Sequence, residues 1–183
     1  EDLNENKTSP TSVDPVMLLN HAIINTSYPT RSVIFDMGIV QQLVTPNGGV
    51  LAGGNFNEDS RDATLAGLWA VYYQNVIKNT RDALAKAEEQ PVRTNLFHMI
   101  RIFQAYAFMI LTDEYGDIPY TEGGIGYADQ LFFPKYDAQS TIYPKLIQEL
   151  TEASAALDAG KPIEPGDVLF AGNIDKWKKV GYS

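Results

Sequence analysis

Asp113, Glu114 and Asp117 bring three carboxylates into one short stretch of chain. A glycosidase holds two carboxylates across a bond, one of them with a raised pKa. A hard cation such as calcium takes the same kind of oxygen. The step from Asp113 to Asp117 puts both on one helix face if the helix persists that far. The spacing matches no EF-hand loop, which needs a glycine at position 6 and a glutamate at position 12. A helix C-terminus followed by a turn, with Asp117 accepting backbone N–H groups, accounts for the same residues without catalysis or metal. That plainer assignment is adopted, and no catalytic residue, metal or cofactor is expected.

Other reactive chemistry has less support. The chain has no cysteine, which removes disulfides, cysteine-based zinc sites and thiol nucleophiles together. His21 and His98 both fall in apolar, helix-like runs, where a satisfied core or surface histidine is the ordinary case. There is no Gly-x-Ser-x-Gly elbow. The glycines between Gly49 and Gly54 lack the lysine and preceding strand of a phosphate loop. The residues therefore show no enzymatic constellation, and the chain is not expected to be an enzyme.

Two groups of residues suit ligand binding. Tyr115, Tyr120, Tyr127, Tyr136 and Tyr143 cluster along an irregular segment and its exit. Flat aromatic faces stack on the C–H faces of sugars, and the same rings also pack loops onto helices. The stretch at 45–60, rich in Gly and Asn, carries Asn55, Phe56 and Asn57, with Arg61 nearby. Amide side chains donate and accept at once, as sugar hydroxyls require, and loops on rigid scaffolds often carry function. These four are the candidate ligand-binding residues. Trp69, Tyr72 and Tyr73, at helical spacing, are expected in the core.

The elements that position these residues follow from periodicity and punctuation. Asp14-Pro15 starts a helix over 15–25. A second helical stretch spans about Ser32 to Val44, ended by Pro46-Asn47-Gly48-Gly49. Leu65, Trp69, Tyr72 and Val76 recur at helical steps within a long helix from about Asp59 to Gln90, stopped by Pro91. Thr94 reads as the N-cap of the next helix, with Leu96, Ile100, Phe103, Ala107 and Ile110 on its apolar face and Tyr115-Gly116 at its end. A link this short forces two long helices antiparallel. Residues 117–139 lack periodicity. A further helix runs from about Ser140 to Leu157, and Asn173 caps a last one, with Trp177 anchoring it on the preceding pair. Strand signals are poor, so the expected fold is all-α, built of paired helices without a regular repeat. Residues 1–13 read as a flexible tether and 14–183 as a single helical domain.

The 183 residues carry 14 Lys and Arg against 23 Asp and Glu, a net charge of −9. That balance opposes nucleic-acid and anionic-membrane surfaces, which call for clustered positive charge. It leaves a neutral ligand open. No apolar run approaches the ~20 residues of a membrane span.

Three ordered segments together resemble the SusD/RagB family of outer-membrane nutrient-binding lipoproteins: LTDEYGDIPYTEG at 111–123, FPKYDAQSTIYPKLIQELTEASAAL at 133–157, and GDVLFAGNIDKWKKV at 166–180. The opening DLNENKTSPTSVDPVMLL and the run LWAVYYQNVIKNTRDAL are similar to that family too. The resemblance implies a tetratricopeptide-like scaffold that captures glycans or other oligomeric nutrients at the surface of Bacteroidetes-type cells. It implies delivery to a TonB-dependent, SusC-like transporter, and an N-terminal lipid anchor at the outer membrane as the only membrane contact. Family members are longer, so the chain is expected to be the N-terminal portion of such a protein, or a truncated one. A helical protein-interaction scaffold is the alternative.

Overall fold

The structure, a computed structural model, describes residues 13–43, 61–126 and 130–183, without the side chains of Arg31 and of 61–65. Helix α1 spans Pro15–Ile24. It starts where the sequence places it, because the Asp14 carboxylate accepts the Val16 N–H at 2.8 Å and Pro15 needs no such partner. Helix α2, Thr30–Ile39, is shorter than its apolar run. Val33, Ile39 and Val40 are exposed, so no packing supports further turns, and Gln41 reverses the chain at φ 60°.

The long helix is interrupted. Arg61–Val71 (α3) passes through a π-helical segment, Tyr72–Ile77, into Lys78–Glu88 (α4). The turn over 89–93 leads to α5, Thr94–Tyr115. Thr94 proves to be the first helical residue, with Arg93 in the capping place. The hairpin is antiparallel: Gln104 bonds Thr80 near its middle, while Tyr115 reaches Trp69 at its far end. Helix α6, Gln139–Ala156, runs back along α5, and α7, Ile174–Tyr182, packs on both. The Asn173 side chain caps α7 by accepting the Lys176 N–H at 3.0 Å. This is the all-α hairpin arrangement read from the sequence. Among the described residues no helix is long and apolar enough to cross a membrane.

The core lies between the hairpin, α1 and α6. Leu19, Leu68, Tyr72, Val76, Ile100, Leu111, Ile142 and Trp177 are wholly or almost wholly removed from solvent. Trp177 holds α7 as the sequence suggests. A buried indole N–H left unpaired costs about 1–3 kcal/mol, and Asp167 removes that cost by accepting it at 2.7 Å. The same carboxylate takes the N–H groups of Leu169, Phe170 and Gly172, fixing the turn before α7. Arg93 makes the long-range tie. It pairs bidentately with Glu164 at 2.9 and 2.6 Å and reaches Asp14 at 2.9 Å, joining α1, the hairpin turn and the segment after α6.

Candidate functional site

The irregular segment after α5 is a clasped loop. Gly116, at φ +73°, ends α5. Ile118 and Asp137 then form an isolated antiparallel bridge, exchanging N–H···O bonds of 3.2 and 2.9 Å. The Asp137 carboxylate closes the clasp by accepting the N–H of Tyr120 and both the N–H and hydroxyl of Thr121. Partial burial works to raise its pKa. These donors and the Lys145 ammonium outweigh burial and hold it below the ordinary carboxylate value. Glu122 accepts the Lys135 N–H at 2.7 Å and Asp117 the Gln139 N–H at 2.9 Å. Asp117 is thus spent on the start of α6, as its plainer assignment held.

The hairpin fastens the loop from below. Tyr73 donates its hydroxyl to the Pro119 carbonyl at 2.9 Å, and Arg81 donates to the carbonyls of Tyr120 and Gly123. Gly123 must be glycine, since a Cβ there would run into the Pro119 carbonyl.

Aromatic rings gather where this loop meets α3. Trp69 packs on Tyr73 at 4.6 Å, meets Tyr115 edge-on at 5.1 Å, and lies nearly parallel to Tyr136 at 6.1 Å. The Trp69 main-chain N–H donates to the Tyr115 hydroxyl at 3.0 Å. Burial pushes the Tyr115 phenol up to about 12, the Trp69 N–H works against this, and the nearby Glu114 and Asp36 carboxylates add to it. Trp69 and Tyr73 are half-buried, and Tyr136 is 63% exposed. The cluster therefore has a fixed base and an open side. Such a surface offers apolar ring faces next to hydroxyls, the combination that sugar rings stack on.

Trp69, Tyr72 and Tyr73 all pack on the core, as expected, but to different depths. Only Tyr72 is fully buried, with its hydroxyl donating to the Thr26 carbonyl at 3.0 Å. Tyr72 and Tyr73 are neighbours about 100° apart around the helix, so Tyr72 turns into the core while Tyr73 stays beside Trp69. Of the five tyrosines, Tyr115 and Tyr136 join Trp69. Tyr120 packs edge-on against Phe108 at 4.8 Å, and Tyr143 bonds Asp113. Tyr127 lies outside the described residues, as do Asn55, Phe56 and Asn57, and Arg61 is described only in its backbone. Glu114 sits beside Tyr28 and Asp36. Its carboxyl is raised, mainly by burial. Among the described residues no group of three His, Asp or Glu side chains is placed to hold a metal ion.

A sequence profile for SusD-like proteins, described as starch-binding and associating with the outer membrane, matches residues 5–183. The chain belongs to the SusD-like family. Solved structures of SusD-like proteins share its fold. A chitin-binding protein matches at 28% identity and TM-score 0.79, over 92% of this chain and 36% of that one. A SusD-like protein of Bacteroidetes matches at 28% identity and TM-score 0.74, over 92% of this chain and 31% of that one. A SusD/RagB family protein of Bacteroides thetaiotaomicron, at 23% identity and TM-score 0.75, covers 93% and 36% and shows the fold alone. The chain thus spans about a third of the length of these structures. No curated protein matches.

Proposed function

We propose that the chain is the N-terminal scaffold of a cell-surface protein that captures a neutral glycan and passes it to a TonB-dependent, SusC-like transporter in the outer membrane. The observation that carries this reading is the Trp69–Tyr136 aromatic surface on a clasped loop. Family membership supports a glycan as the ligand, and so does the chitin-binding description of one 28% identical relative. The net charge of −9 supports a neutral ligand over a polyanion.

Asn55, Phe56, Asn57 and Arg61 are assigned to the same ligand from sequence alone: the first three precede α3 and Arg61 is its first residue, eight before Trp69. They would add amide and guanidinium partners for sugar hydroxyls beside the rings. Residues 1–13 would serve as the tether to a lipid anchor that holds the protein at the cell surface. No step of this function needs a cofactor or a catalytic group.

A helical scaffold for protein contacts is the second reading. Phe132 and Phe133, 74% and 91% exposed on the same loop, favour it. A glycan microarray probed with the purified protein separates the two. Capture predicts retention on starch- or chitin-type glycans, and co-purification with its transporter when both are expressed. Retention on no glycan, with stable complexes of soluble proteins instead, would favour the scaffold.

A further inference from the structure

A cleft of about 260 Å³ opens between α4, α5 and α6, with Tyr120 of the clasped loop in its lining. It is separate from the aromatic surface and does not depend on the reading given to that surface.

Gln104 lines the cleft and is only 7% exposed. Its orientation is set by hydrogen-bond logic. The Thr80 hydroxyl donates its single proton to the Ile77 carbonyl at 3.0 Å, so it must accept from Gln104, whose Nε2 lies 2.9 Å away. Oε1 of Gln104 is therefore the free end. Among the described residues it has no donor, yet it is not among the atoms sealed from solvent without a partner. It is an unused acceptor on a residue that lines the cleft.

Arg81 supplies the complementary group. Its Nε and Nη2 donate to the Gly123 and Tyr120 carbonyls, and its guanidinium lies 5.4 Å over the Phe108 ring. Among the described residues it forms no ion pair and Nη1 has no acceptor. The other guanidinium in the cleft, Arg101, is bound bidentately by Glu149 at 2.7 and 3.0 Å. Arg81, Arg101, Glu88 and Glu149 all line the cleft, so its lining carries no net charge. That disfavours a charged ligand. Leu84, Phe97 and Ala105 make an apolar wall beside these polar groups.

We infer that this cleft binds a neutral secondary amide, with the ligand N–H on Gln104 Oε1, its carbonyl on Arg81 Nη1, and its methyl group against Leu84, Phe97 and Ala105. The acetamido group of an N-acetylated sugar and a peptide bond share this chemistry. A plain hydroxylated sugar lacks the methyl and the fixed donor–acceptor pair.

NMR titration of the isotope-labelled chain tests this with three probes: N-acetylglucosamine, N-methylacetamide and glucose. Both amides are expected to shift the signals of Gln104, Phe97 and Ala105 saturably, and glucose is not. Gln104→Leu should weaken binding of both amides about tenfold, the effect of one lost hydrogen bond. Leu84→Phe, which fills the cleft from a half-buried position, should do the same and covers the case in which Gln104→Leu does not fold. Tyr136→Ala should leave the cleft titration unchanged, which keeps this site distinct from the aromatic surface. Shifts from N-methylacetamide alone would support the amide site and assign it to peptides. No saturable shift from either amide, equal shifts from glucose, or full affinity in the folded variants would overturn the inference.

Discussion

The main-chain N–H of Trp69 donates to the phenol oxygen of Tyr115 at 3.0 Å, across 46 residues of sequence. One bond thus fixes the open end of the hairpin and sets the Trp69 ring edge-on to Tyr115 beside the clasped loop. Tyr115→Phe keeps the ring and removes the acceptor. It should cost about 1–2 kcal/mol of stability in urea unfolding. A change in the near-ultraviolet circular dichroism of the folded protein should report the altered Trp69 environment.

Asp137 governs the loop. Asp137→Asn should speed hydrogen exchange at Ile118, Tyr120 and Thr121 while leaving the α5 amides protected. The sign of its pH dependence follows from its depressed pKa. The carboxylate is held below its ordinary value of 3.8, so its stabilisation is complete above that pH. It is lost as pH falls through the lower, folded value. Acid should therefore loosen the loop in the wild type, and Asp137→Asn should lack that component. The comparison is made by hydrogen exchange between pH 5 and pH 3.

Arg93 is the tie whose removal leaves a buried charge. The Glu164 side chain is 8% exposed, and Arg93→Met strands it. A loss of about 2–3 kcal/mol is expected, below the full cost of breaking a buried pair because Arg93 itself is partly solvated. Arg93→Met with Glu164→Gln should recover part of the loss, which a double-mutant cycle in denaturant measures.

Gly123 tests whether the loop positions the aromatic surface. Gly123→Ala drives a methyl group toward the Pro119 carbonyl and the Tyr73 ring. A cost of about 1–3 kcal/mol follows from overpacking. Glycan affinity should fall with it, although Gly123 is not part of the ring cluster. Affinity at wild-type strength in a stably folded Gly123→Ala protein would show that the loop does not set the surface.

Much of the scaffold was legible in the sequence because its signals are local. Asp14-Pro15 and Asn173 announce helix starts through their own chemistry, and Pro91 with the short turn around it requires the hairpin. The end of α2 was not legible, since the exposure of Ile39 and Val40 depends on tertiary neighbours. The π-helical segment leaves no residue signature, and how deeply each of Trp69, Tyr72 and Tyr73 is buried depends on tertiary neighbours. The aromatic cluster was half legible. Tyr115 and Tyr136 belonged to a recognisable tyrosine group, but their convergence on Trp69 depends on the Ile118–Asp137 bridge, which joins residues from opposite ends of an aperiodic segment. The cleft at Gln104 was not foreseen, because its free acceptor is defined only by the bond to Thr80 across the hairpin.

Calorimetric titration with neutral starch and chitin oligosaccharides, on the wild type and Tyr136→Ala, bears most directly on glycan capture. Tyr136 is largely solvent-exposed, so its loss should leave the unfolding temperature almost unchanged. Saturable binding by the wild type, weakened at least tenfold in Tyr136→Ala, is the expected result. Equal affinity in both proteins, or no binding of any neutral glycan by the wild type, would contradict it.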